Sequence, residues 1–161
     1  MNKKLIQSAI KMCEKAYAPF SKYKVGSAVE IESGEIIGGC NIESSSYGLT
    51  CCAERVALFR AIAEGYQKFK SIAVATKNAG MPCGACRQVI WELCGEIPVY
   101  ICDMNGWVKT VSSSGLIPDA FDEKVLNEKH YCSDCRWNWL RKIIFNKKSC
   151  KYISKKTNID Y

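Results

Sequence analysis

Histidine is nearly absent from this chain: 161 residues include one, His130. A catalytic metal site within the first 129 residues must therefore take its ligands from cysteine or carboxylate side chains. Long apolar runs are missing too. No stretch reaches the 18 consecutive apolar residues of a membrane helix, so no integral span is expected. The N-terminus, Met1-Asn2-Lys3-Lys4-Leu5-Ile6-Gln7-Ser8, lacks the apolar core of an export signal, and the expected location is cytoplasmic and reducing. Excess charge is absent from most of the sequence. Residues 1–128 hold 14 Lys/Arg and 14 Asp/Glu, so the net +7 arises in residues 129–161, where nine basic residues face Asp134 and Asp160. The main body carries no electrostatic footprint for nucleic acid, and no nucleic-acid partner is expected.

Cysteine is what the chain has in excess. There are 11: Cys13, Cys40, Cys51, Cys52, Cys83, Cys86, Cys94, Cys102, Cys132, Cys135 and Cys150. An odd number without an export signal argues against a disulfide framework. Metal binding, catalysis and plain burial remain.

The hydrophobic pattern gives the architecture. Leu5, Ile6, Ala9, Ile10 and Cys13 repeat at helical spacing within residues 2–17, and Pro19 is the expected stop. Val25 to Ile31 alternates as a strand, Glu32-Ser33-Gly34-Glu35 turns, and Ile36 onward resumes strand character, a hairpin. Cys52 to Glu64 is free of Gly and Pro, and Gly65 follows as a helix stop. Ser71–Thr76 is a short buried strand, Cys83–Leu93 a helix stopped by Gly95, and Ile97–Cys102 and Trp107–Val111 two further strands. A short closing segment runs to about Leu126. Five strands interleaved with helices predict a three-layer α/β/α domain with a mixed sheet over residues 1–128. The composition changes near Asn127, and residues 129–161 are too few for a core of their own.

Two short motifs carry chemistry. Pro82-Cys83-Gly84-Ala85-Cys86 places two thiols at zinc-binding spacing at a helix start. Alone it equally describes a redox pair or a structural zinc knuckle. Cys52-Ala53-Glu54 opens the other helix, with a carboxylate two residues after a thiol. A metal ligand, a glutamate that does not bind metal, and a downstream Pro-Cys-x-x-Cys form the pattern of zinc deaminases. Three protein ligands leave the fourth position open, the catalytic arrangement. Three thiolates on Zn²⁺ sum to −1, which weakens the ion as a Lewis acid. Two helix N-termini, each equivalent to about +0.5 charge, and Arg55 beside Glu54 can draw charge from the sulfurs, so Arg55 is expected to tune the metal.

At these residues the chain resembles the cytidine deaminases, in their small, homotetrameric, three-cysteine form. The match spans about residues 5–126. It includes Ala18-Pro19-Phe20-Ser21-Lys22-Tyr23-Lys24-Val25-Gly26, Gly39-Cys40-Asn41-Ile42-Glu43, Cys52-Ala53-Glu54-Arg55, Pro82-Cys83-Gly84-Ala85-Cys86-Arg87-Gln88, and Leu116-Ile117-Pro118 with Phe121. The resemblance implies a five-stranded fold of that family and one Zn²⁺ per chain on Cys52, Cys83 and Cys86. It implies Glu54 as proton shuttle, Asn41 and Glu43 on the ribose hydroxyls, and Phe20 and Ala53 beside the substrate. Tyr47 and Phe121 would reach toward a neighbouring subunit's site. The implied reaction is hydrolytic deamination of cytidine and deoxycytidine in pyrimidine salvage.

Plainer roles compete at several positions. Cys51 lacks a glutamate two residues on and reads as a buried small hydrophobe. Cys13, Cys40, Cys94 and Cys102 read as core, Trp91 and Trp107 as packing, and Phe121 equally as core. A deaminase for a nucleoside-like antibiotic such as blasticidin S shares the three-cysteine pattern; the Asn41-x-Glu43 pair favours cytidine. A non-catalytic zinc module acting through the basic tail is the alternative of another class, and Glu54 argues against it. In the tail, His130, Cys132, Cys135 and Cys150 offer a second, structural zinc set. Trp137, Trp139, Leu140, Ile143, Ile144 and Phe145 offer an amphipathic helix. An extension without a fold of its own is preferred to both.

Overall fold

Asn2 starts the first helix. Its side-chain oxygen accepts hydrogen bonds from the N–H groups of Lys4 (3.0 Å) and Leu5 (3.3 Å), which caps α1 (Lys3–Glu14). The helix ends before Pro19 is reached. Tyr17 is already extended: its N–H donates to the Asn41 carbonyl at 3.0 Å and its carbonyl accepts from Glu43 N–H at 2.8 Å. Pairing with a neighbouring segment, not the proline, sets the boundary.

The computed structural model describes residues 2–122. One compact unit is Met1–Phe121; of the other, Asp122–Tyr161, only Asp122 is described. The boundary expected at 128, the amphipathic segment and the His130, Cys132, Cys135, Cys150 set lie outside the described residues. After α1 come β1 (Val25–Ile31), β2 (Ile36–Cys40), a 3-10 turn (Tyr47–Leu49), α2 (Ala53–Ala63), β3 (Phe69–Thr76), α3 (Gly84–Cys94), β4 (Pro98–Asp103), β5 (Gly106–Ser112) and the short α4 (Ser113–Leu116). The strands form one sheet in the order β2-β1-β3-β4-β5. Only β3 and β4 are parallel, joined by the α3 crossover; the other pairs are antiparallel, so the sheet is mixed as expected.

Helices cover both faces. On one, Leu5, Ile6, Ala9 and Cys13 of α1 pack on Ala28, Ala73, Ala75 and Cys102. On the other, Ala57, Leu58 and Ala61 of α2 and Ile90 of α3 pack on Val29, Ile37, Ile72, Val74, Val99 and Ile101. β1 therefore buries both faces. α1 needs small residues beneath it, and Gly26 and Ala28 supply them. Among the described residues no helix is long and apolar enough to cross a membrane.

Two glycines set the helix-to-sheet distance. A Cβ on Gly26 would fall 2.0 Å from the Ala9 carbonyl oxygen. One on Gly39 would fall 2.3 Å from Ala57 N and 2.8 Å from Ala53 O, both backbone atoms of α2. Backbone cannot rotate away, so a methyl at Gly39 must lift α2. Gly39→Ala is expected to cost about 1–3 kcal/mol in denaturant unfolding. Gly48, with nothing within 4 Å of its added Cβ, is the control: Gly48→Ala should stay within about 0.5 kcal/mol. Equal effects of the two would contradict the packing account.

Candidate metal centre

α2 runs back toward the start of β3, and α3 leaves from its end. Both helices therefore begin at the same end of the sheet. Cys52 is the N-cap of α2, Cys83 the N-cap of α3, and Cys86 sits in the first turn of α3. Neither N-cap side chain makes a capping hydrogen bond. The thiols face one another instead. The three sulfurs lie within 4.8 Å of one another, and Cys52 Sγ is 3.8 Å from Cys83 Sγ. Zinc–sulfur bonds of about 2.3 Å in a tetrahedron put sulfurs about 3.8 Å apart, so the donor set and its spacing fit zinc. Among the described residues no fourth Cys, His, Asp or Glu belongs to this group. One coordination position is left open, as catalysis requires. Cys86 is buried, Cys52 half-buried and Cys83 exposed, so the group meets solvent on one side.

The surroundings favour negative sulfur. The Cys86 S–H donating to Cys52 holds the Cys52 thiol well below its ordinary range, against the opposing effect of burial; Cys83 and Arg55 act with it. Cys86 is pushed up by sharing that proton and by burial. Burial is the largest single influence and works against the Arg55 charge, but the hydrogen bond to Cys52 and the charges of Cys51, Cys52 and Cys86 together outweigh it and keep the guanidinium protonated. Arg55 Nη2 donates to the Thr50 carbonyl at 2.9 Å, while its Nε is buried without a partner. An unpaired buried donor beside thiolates is a ready source of positive charge for them.

Glu54 follows on α2, only 3% exposed. Burial raises its pKa, with the charge of Cys52 adding to the rise. Both causes favour the protonated form, so Glu54 holds a proton more readily than an ordinary glutamate does. Ala53, beside it, is fully buried.

The other predicted residues converge from the hairpin side. Ile42 and Cys51 exchange two backbone hydrogen bonds of 2.9 Å, which ties Asn41-Ile42-Glu43 to the strand leading into Cys52. Asn41 is buried. Its Oδ1 accepts from Val25 N–H at 2.8 Å and its Nδ2 donates to the Tyr23 carbonyl at 2.9 Å. One N–H and one lone pair remain for a ligand. Phe20 and the exposed Tyr47 meet edge to face, with ring centroids 6.4 Å apart. Phe121 is 56% exposed, which removes the core role weighed for it.

Several residues lay inside the matched motifs with no role assigned to them. Arg87 bridges the Pro82 carbonyl (2.8 Å) to the Leu116 carbonyl (3.1 Å), and Gln88 Nε2 donates to the Phe121 carbonyl at 2.6 Å. The two residues after Cys86 thus hold the closing segment against the thiol loop. Their adjacency to the motif was the available signal. Tyr23 donates through its hydroxyl to Asn78 Oδ1 at 2.6 Å and supports Asn41 through its carbonyl. The remaining cysteines sort by burial. Cys94 is pushed up to about 12 and Cys102 to about 11, Cys13 and Cys51 also rise, and all four rises are led by burial. Cys13 and Cys102 are core as expected, whereas Cys40 and Cys94 are only half-buried. Trp107, expected to pack, is 47% exposed on β5, the edge strand of the sheet, which has a neighbouring strand on one side only.

The model of the cytidine and deoxycytidylate deaminase zinc-binding region matches residues 1–102. A cytidine deaminase of Sporosarcina psychrophila is 46% identical over 127 residues, covering 77% of this chain and 93% of that protein. One from Halalkalibacterium halodurans is also 46% identical over 127 residues, covering 77% and 96%. The crystal structure of cytidine deaminase from Burkholderia pseudomallei superposes with a TM-score of 0.72 at 47% identity, over 75% of this chain and 99% of that one. With its mixed five-stranded sheet and its open three-thiol group at paired helix starts, the chain belongs to the cytidine and deoxycytidylate deaminase zinc-binding family.

Proposed function

We propose that this chain catalyses the zinc-dependent hydrolytic deamination of cytidine and 2′-deoxycytidine, releasing ammonia and uridine or 2′-deoxyuridine. The observation that carries this reading is Glu54, a buried carboxyl with a raised pKa directly beside an open group of three thiols. A structural zinc site is closed by four ligands and has no use for such a carboxyl.

Cys52, Cys83 and Cys86 would hold the zinc. When bound, it supplies a Lewis acid that brings the pKa of water down toward about 7. Glu54 takes the proton from the attacking water and delivers it to N3 of the cytosine ring. Protonation there makes C4 electrophilic. The water oxygen bonds to C4; Glu54 then takes the second proton from the new C4 hydroxyl and passes it to the amine, so that a C4 carbonyl forms as the C4–N4 bond breaks and ammonia departs. Burial favours the protonated form of this carboxyl, which suits it to hold the proton between the two transfers. Arg55 holds positive charge against the thiolates and so preserves the acidity of the ion. Asn41 and Glu43 bind the ribose hydroxyls, Phe20 lies along the sugar and base, and the backbone at Ala53 borders the base.

Homotetramer formation, with Tyr47 and Phe121 completing a neighbour's site, belongs to the same proposal. Phe20, Tyr47, Leu49 and Phe121 are all more than half exposed, an apolar surface that association would cover. A reducing, cytoplasmic setting and a place in pyrimidine salvage agree with a site built of reduced thiols.

Three experiments test the reading. Glu54→Gln keeps the size of the side chain and loses proton transfer. It is expected to retain about one zinc per chain while cytidine turnover falls by at least about 10²–10⁴-fold. Full activity in the variant would remove Glu54 from the mechanism. Wild-type enzyme offered cytidine and blasticidin S should favour cytidine; the reverse preference would transfer the assignment to the antibiotic. Arg55→Ala is expected to weaken zinc retention about 10–100-fold in chelator competition, and unchanged retention would leave Arg55 with a purely structural role.

A further inference from the structure

Glu43 is held more tightly than a partly exposed carboxylate needs to be. Its Oε2 accepts from the backbone N–H groups of Phe20 (2.9 Å) and Ser21 (3.2 Å), and its Oε1 accepts from the Ser21 hydroxyl. Two successive amides aimed at one oxygen form an anion nest. The turn that builds it closes where Lys22 N–H donates to the Ala18 carbonyl at 3.2 Å, and Lys22 takes φ +58°, a left-handed conformation costly for a lysine. Water alone would satisfy an exposed carboxylate. Here a strained turn, two amides and a hydroxyl are given to it.

The Ser21 hydroxyl is itself oriented. Its oxygen accepts from Tyr23 N–H at 2.9 Å, which turns its proton toward Glu43. A carboxylate offers about four acceptor positions, and three are used. The Ser21 bond fixes the rotation of the carboxylate, so the last position, on Oε1, points in one direction. Tyr23 also anchors Asn41, whose Nδ2 donates to its carbonyl. One loop thus fixes both residues assigned to the sugar. Ionisation follows the same geometry: the Ser21 hydrogen bond, ahead of the two amides, holds the Glu43 carboxyl below the usual carboxylate range.

We infer that Ser21 is a positioning residue for sugar recognition, acting through Glu43 to aim its one free acceptor position at a substrate hydroxyl. This rests on the reading that Glu43 binds the ribose. Ser21 touches no reacting atom, so its loss should weaken binding of the sugar and spare the chemical step.

The test compares cytidine with 2′,3′-dideoxycytidine, which lacks both ring hydroxyls, in wild type, Ser21→Ala, Ser21→Thr and Glu43→Gln. Zinc content and Tm are measured for each. Ser21→Ala should raise KM for cytidine about tenfold with kcat within about threefold. Its kcat/KM on the dideoxy substrate should change less than about threefold. Ser21→Thr, which keeps the hydroxyl, should restore the cytidine KM. Equal losses on both substrates would overturn the inference, because a merely structural role does not distinguish them. Wild-type behaviour of Ser21→Ala beside a cytidine-selective loss in Glu43→Gln would overturn it while sparing the ribose reading. No selective loss in Glu43→Gln would overturn the ribose reading itself, and this inference with it.

Discussion

Three thiols held at the starts of two helices are the constraint on which the site depends. An N-cap residue normally turns its side chain back to satisfy the orphan amides of the first turn. Cys52 and Cys83 do not; they face Cys86 and each other. The first-turn amides and helix dipoles are thereby left as fixed positive charge around sulfur. That field offsets the weakness of a site whose ligands are all anionic. The fold serves it directly, because α2 runs into the start of β3 and α3 leaves from its end, so that both helices begin at the same end of the sheet.

The second layer of support comes from backbone carbonyls and amides. Arg87 and Gln88 bind carbonyl oxygens of Pro82, Leu116 and Phe121. The Ile42–Cys51 pair joins the hairpin to the segment entering α2. Motifs far apart in sequence are thus stitched to main-chain groups, by the side chains of Arg87 and Gln88 and by the Ile42–Cys51 backbone pair. Gly39, with α2 backbone where its Cβ would be, carries the same logic to the packing of α2 on the sheet.

Much of this was legible in the sequence. Helical spacing located α1, and the Gly65 and Gly95 stops located the ends of α2 and α3. The Cys-x-Glu and Pro-Cys-x-x-Cys motifs located the metal group. What escaped were contacts that no periodicity encodes. The end of α1 is set by pairing at Tyr17 rather than by Pro19. The two-sided burial of β1 depends on helices that arrive from elsewhere in the chain. Ser21, Tyr23 and Gln88 act through single hydrogen bonds to distant groups, which only three-dimensional neighbourhood reveals. The eleven cysteines could be divided only in part: Glu54 two residues on separated Cys52 from Cys51, but Cys40 and Cys94, read as core, are only half-buried.

The central claim is that zinc is bound by these three sulfurs with one position open to a non-sulfur ligand. X-ray absorption at the zinc edge of the purified full chain measures it directly. Three sulfur scatterers at about 2.3 Å and one oxygen or nitrogen scatterer at about 2.0–2.2 Å are the predicted result, unchanged in Glu54→Gln. Four sulfur scatterers in the main zinc population would contradict it, since a closed site leaves Glu54 nothing to serve.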